Sequence, residues 1–151
     1  MKSVLAHECG HIVCHHTLYT TMVHILLNLA DVSIGISHVL MAPIELGLMY
    51  WSRRSEYSAD RCSVLVAGEE ATQRAMLKLA SGTREIVGNP LQLVEQGKEY
   101  VALTEESWID KVQQNGRMAF YSHPQMCIRA LEIHRWAKSN LFKRLSDKIE
   151  E

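Results

Sequence analysis

Apolar residues recur every three or four positions along most of this chain, the period of an amphipathic helix. No segment alternates apolar and polar residues in the manner of a strand. A first helix is expected from about Ser3 to Ala30, with Gly10 inside it at a small cost in propensity. Without a side chain there, another backbone could approach closely. A second helix is expected over Leu40–Ala67, with Pro43 in its first turn and Gly68 ending it. A third spans Glu69–Val87, its apolar face made of Ala75, Met76, Leu79 and Ala80, and Gly88-Asn89-Pro90 reads as a turn. Leu91–Gly97 is a short ambiguous piece. Thr104 can cap a helix running to Asn115, with Trp108, Ile109 and Val112 inward. Ser122-His123-Pro124 opens the last helix, striped by Ile128, Leu131 and Trp136, and the charged tail from Lys138 is expected to fray.

The fold class is therefore mainly α. Length agrees with one domain: 151 residues can bury roughly 70% of their unfolded surface. Hydrophobic residues make up 47%, and 16 basic against 17 acidic residues leave a net charge of −1. That balance gives no electrostatic case for nucleic acid or an acidic membrane. Cys9, Cys14, Cys62 and Cys127 form no C-x-x-C pair, and Cys9 and Cys14 point apart on one expected helix. The pattern fits reduced, mostly buried thiols, and with no secretory signal before Glu8 the cytoplasm is the expected compartment.

Residues 18–51 are conspicuously apolar, yet Asp31 and Glu45 interrupt them. The uncharged runs Thr17–Ala30 and Val32–Ile44 both fall short of the ~18–20 residues a span needs. A buried helical hairpin is expected, with membrane contact as the alternative.

Chemistry enters at His7-Glu8-Cys9-Gly10-His11. Residues four apart on a helix stand one above the other, so His7 and His11 can share a metal ion. Glu8 sits about 100° round the helix, where a general base could take a proton from a metal-bound water. Cys9, about 200° from His7, should face away. The pentad alone could be two helical histidines beside a solvated carboxylate, so a third ligand decides. A histidine six residues past His11, with an intervening glycine, is excluded, because Cys14 and Thr17 occupy those positions. Glu56 and Asp60, four apart, offer the other arrangement. Glu56 can complete a His₂Glu site with a fourth position for water, and Asp60 can accept from the free ring nitrogen of a ligating histidine. The bland alternative is a charged face pairing with Arg53, Arg54 and Arg61. His15 points past the metal, and His16, His24, His38 and His134 read as packing or surface residues.

The pentad, then Ser55-Glu56-Tyr57-Ser58-Ala59-Asp60-Arg61, then Ser122-His123-Pro124 resemble the three signatures of the HtpX and CAAX-prenyl-protease type of zinc metallopeptidase. Ser3-Val4-Leu5-Ala6 and Tyr50-Trp51-Ser52-Arg53-Arg54 resemble its soluble bacterial branch, and the likeness covers roughly residues 2–136. It implies zinc on His7, His11 and Glu56, Glu8 as base, a protein or peptide substrate, and His123, or Tyr121 near it, donating to the oxyanion. It also implies a zincin-like fold, in which a small sheet precedes the active helix and holds the peptide by strand addition. The pentad here begins at residue 7, so residues 1–151 are expected to form a single N-terminally truncated catalytic domain. Its metal site should survive, its groove should be impaired, and self-association through an exposed apolar seam is expected. A catalytically weak or inactive helical zinc-binding remnant that binds a partner is the rival reading. Intact Glu8 speaks against it, because a pure binding module has no use for a base.

Overall fold

The computed structural model of the chain describes residues 1–34, 38–82, 88–106 and 125–150. Seven helices and no strand make up the described residues: α1 (Lys2–Val13), α2 (His16–Ile34), α3 (His38–Ala67), α4 (Glu69–Ser81), α5 (Pro90–Glu106), α6 (Met126–Ala137) and α7 (Asn140–Glu150). This is the mainly α architecture the periodicity indicated.

α1 lies against α3 and runs the opposite way. Ser3 meets Ser63, His7 meets Asp60 and His11 meets Glu56, so numbers rise on one helix as they fall on the other. Gly10 permits the approach. A Cβ built there would stand 3.0 Å from the Cα of Ala59 and 3.0 Å from the Cβ of Cys62. The seam is tied by hydroxyls at its far end. Ser63 Oγ donates to the Ser3 carbonyl at 2.8 Å and lies 3.0 Å from both Ser3 Oγ and Thr72 Oγ1. Thr72 Oγ1 in turn donates to the Gly68 carbonyl at 2.9 Å. These buried polar groups join α1, α3 and α4 and satisfy one another, which removes the cost of their burial.

The apolar core is shared by four helices. Val64, Met76, Val94, Ala130, Leu131, Ile133 and Trp136 cluster there, drawn from α3, α4, α5 and α6. Leu131 and Ile133 are each 2% exposed; burying such a side chain contributes about 1.5–3 kcal/mol.

Several expected elements differ. The single helix Ser3–Ala30 is two helices. Cys14 closes α1 by donating to the Gly10 carbonyl, and His15 adopts a left-handed φ of 56° that turns the chain into α2. Leu18, Tyr19, Met22 and Ile25 on α2 are exposed rather than buried in a hairpin. No helix among the described residues is long and apolar enough to cross a membrane. Pro43 lies inside α3, which begins at His38. α4 stops at Ser81, where Gly82 takes a left-handed φ of 63°. The ambiguous piece at 91–97 belongs to a full helix, α5, and Thr104 lies within it instead of capping a later one. Gly97 is there for contact: a Cβ would run into the carbonyl oxygen of Cys127 on α6. The tail does not fray, because Phe142 and Leu145 of α7 pack on the core and Phe142 meets Trp136 edge-on at 5.1 Å. The helix expected through 115, Tyr121 and the Ser122-His123-Pro124 opening lie outside the described residues, and α6 is described from Met126.

Candidate metal centre

Helical spacing does the first part of the assembly. His7 and His11 sit one turn apart on α1, and their Nε2 atoms face each other at 3.2 Å. α3 brings up Glu56, whose Oε2 is 3.5 Å from His7 Nε2 and whose Oε1 is 3.7 Å from His11 Nε2. A tetrahedral ion with metal–nitrogen bonds of about 2.0–2.1 Å separates its ligand atoms by about 3.3 Å. The Nε2–Nε2 edge is close to that length, the two Glu56 contacts, one from each carboxylate oxygen, are slightly longer, and one ligand atom from each residue lies within 4.8 Å of the others, so the His/His/Glu set can gather around one ion. Glu56 is 7% exposed, and its two oxygens face the two imidazole nitrogens.

Each histidine is oriented from behind. Asp60 Oδ1 lies 3.0 Å from His7 Nδ1, which holds that nitrogen as a donor and turns Nε2 toward His11 and Glu56. This is the contact expected of Asp60. His16 stands behind His11, with their Nδ1 atoms 3.2 Å apart. His16 is 8% exposed and packs edge-on to Trp51 at 5.6 Å. His16 is thus packed, as expected, and its contact with His11 is an addition that sequence reasoning missed. A continuous helix would carry residue 16 about 140° round from residue 11; the left-handed turn at His15 brings it back.

Arg129 of α6 is the second residue that sequence reasoning missed. Its Nε and Nη2 donate to the two oxygens of Asp60 at 2.8 and 2.7 Å, and Nη1 lies 3.0 Å from Glu56 Oε2. A signal existed: Arg129, Ile133 and Trp136 share a helix face at spacings of four and three, which puts a cation on the apolar stripe.

Charge follows from this geometry. Burial opposes protonation of His7, but hydrogen bonds to Asp60 and Glu56 outweigh it and raise its pKa to about 9. His11 moves the other way, lowered chiefly by burial and further by the charge on His7. Burial and the neighbouring His11 also lower His16. In the metal-free chain, the cation among the ligands is thus His7.

Glu8 is exposed and lines the same cavity as the ligands, a space of about 630 Å³ open to solvent. Cys9 is exposed and apart from the ligand set, as its helical angle required. Cys14 is exposed too, and Cys62 and Cys127 are part-buried, so the thiols are less buried than expected. His15 is exposed at the corner between α1 and α2. His134 does not merely pack: its Nδ1 lies 2.7 Å from Glu69 Oε1. His123 falls outside the described residues.

The plastoglobule-localized metallopeptidase 48, chloroplastic, of Arabidopsis thaliana is 30% identical over 148 residues, covering 96% of this chain and 43% of that protein. The chain thus spans less than half the length of that relative. No solved structure matches it significantly. Residues 1–137, which include both ligand helices and Arg129, match the model of Peptidase family M48, and the chain belongs to that family.

Proposed function

We propose that this chain is the catalytic core of a zinc-dependent endopeptidase, folded as one domain and acting on protein or peptide substrates. The observation that carries the proposal is the convergence of His7, His11 and Glu56, one ligand atom from each lying within 4.8 Å of the others. Zinc held there would supply Lewis acidity and bring the pKa of a water to about 7.

The side chains have separate tasks in this reading. Asp60 and His16 keep the δ nitrogens of His7 and His11 as donors, so both ε nitrogens stay available. Arg129 neutralises Asp60 and shares Glu56, which keeps two carboxylates compatible in a buried space. Glu8, beside the ligands and open to solvent, accepts a proton from the attacking water and returns it to the leaving amine. His123 is the proposed oxyanion donor, on the strength of the Ser122-His123-Pro124 signature, with Tyr121 next to it. No covalent intermediate is needed. The cytoplasm is the proposed compartment, on the cysteine pattern, and cell fractionation tests it.

Metal analysis of His7→Ala, His11→Ala and Glu56→Ala tests the ligand set, with cleavage of unfolded casein measured on the same samples. The proposal expects about one zinc in the parent chain, and loss of both zinc and cleavage in each variant. Full zinc in Glu56→Ala would remove Glu56 from the site.

A further inference from the structure

Two thiols meet across the seam between α1 and α3. Gly10 marks a close approach of the two helices: a Cβ built there would stand 3.0 Å from Cys62 Cβ and 3.2 Å from Cys62 Sγ. Cys62 of α3 therefore sits in the seam with its sulfur against α1. Cys14 follows Gly10 by one helical turn, about 40° round the axis, and shares its face of α1. The backbone N–H of Cys14 donates to the Gly10 carbonyl at 3.0 Å, and the side chains of Cys14 and Cys62 are hydrogen-bond partners. The other two thiols stand apart from this pair. Cys9 is exposed and about 100° round the helix from Gly10, which turns it off the seam. Cys127 is on α6, where its thiol donates to Gln125 Oε1 at 3.8 Å.

The two partners differ in access. Cys14 is exposed and Cys62 is part-buried. Burial pushes the Cys62 thiol up, and the neighbouring Cys14 adds to this, so Cys14 is the sulfur an oxidant meets first. Cys14 also closes α1 at its corner with α2, outside any helix interior, where a small adjustment of the chain costs least. Neither sulfur belongs to the candidate metal-ligand set.

We propose that Cys14 and Cys62 form a redox modification site, which a small-molecule disulfide converts into an intramolecular disulfide stapling α1 to α3. The Cys14 thiolate attacks one sulfur of the oxidant, breaks its S–S bond and releases one thiol. The Cys62 thiolate then attacks Cys14 Sγ in the mixed disulfide and releases the second thiol. Two protein S–H bonds become one S–S bond, and the oxidant gains the two hydrogens. The staple closes a loop of roughly 50 residues and holds together the two helices that carry His7, His11 and Glu56. It stands on the α1–α3 geometry and not on the peptidase reading.

The test treats the full chain, at low protein concentration, with oxidised glutathione. Mass spectrometry of a tryptic digest without reductant then reads the linkage. Ser3–Arg53 should be joined to Cys62–Arg74, two hydrogens lighter than the sum of the two peptides. Ser3–Arg53 also holds Cys9, so single variants assign the bond. Cys9→Ser should keep the link, and Cys14→Ser should lose it. The oxidised parent should melt about 5–15 °C above the reduced one, and dithiothreitol should reverse the shift. Cys14→Ser, an exposed change, should melt like the reduced parent with or without oxidant. Glutathione adducts without the linked peptide, a link that survives in Cys14→Ser, or a link found only in a covalent dimer would overturn the pairing. A linked parent that melts no higher than the reduced chain would overturn the staple.

Discussion

Arg129 grips Asp60 through two hydrogen bonds, at 2.8 and 2.7 Å, across a sequence separation of 69 residues. That pair is what locks α6 to the ligand helix α3. Asp60 is 2% exposed, so its charge has little water to fall back on. Removing one partner of a buried pair leaves the other uncompensated, at a cost of about 3–5 kcal/mol. Arg129→Leu should lower the unfolding free energy of the metal-free chain by about that amount in urea titrations. Arg129→Lys keeps the charge but not the fork, and should fall between the two. A loss under about 1 kcal/mol in Arg129→Leu would show that the pair contributes little.

His16→Ala should weaken zinc binding by about 10–100-fold, the range found when the group orienting a ligating histidine is removed. Competition with a fluorescent chelator measures it. His24→Ala, on α2 and exposed, is the control and should leave affinity unchanged. Equal affinities in the two variants would return His16 to a packing role.

Zinc affinity should rise with pH. In the metal-free chain, carboxylates raise the pKa of His7 to about 9 against an ordinary value of 6.5. The stability that charged His7 adds to this form is complete below pH 6.5 and disappears as pH climbs through 9. Zinc must displace that proton, so apparent affinity should increase about tenfold between pH 7 and pH 8. An affinity flat over that interval would mean that His7 is already neutral.

Gly10→Ala and Gly47→Ala should have opposite signs. Alanine is worth about 1 kcal/mol over glycine inside a helix. At position 47 of α3 a Cβ would meet nothing within 4 Å, so stability should rise. At position 10 it would press on Ala59 and Cys62. Overpacking costs about 1–3 kcal/mol, so Gly10→Ala should be destabilising and should also weaken zinc binding by prising α1 from α3. Thermal melts of both variants decide it; a stabilised Gly10→Ala would show that the two helices have room to spare.

What was legible in the sequence, and what was not, divides by the range of the interaction. His7 and His11, and Glu56 with Asp60, are spaced by one helical turn, so local periodicity was enough to put each pair on one face. That the two faces meet was readable only through the resemblance of the combined motifs. Arg129 was missed because its partners are on another helix, and a long-range ion pair leaves no mark at either end beyond an ill-placed charge. His16 was missed because nothing in Cys14-His15-His16 announces a break: there is no glycine or proline, and His15 itself takes the left-handed turn. Gly97 concealed α5 for the opposite reason. It ended the ambiguous piece from Leu91, yet it lies inside α5 and provides the close contact with α6.

The most direct measurement pairs zinc content with casein hydrolysis in Glu8→Gln. The amide keeps the size of the side chain and cannot accept the proton. The account expects one zinc per chain, an unchanged melt, and kcat/KM lower by about 10²–10⁴-fold than the parent. Hydrolysis at the parental rate by a fully zinc-loaded Glu8→Gln chain would contradict it.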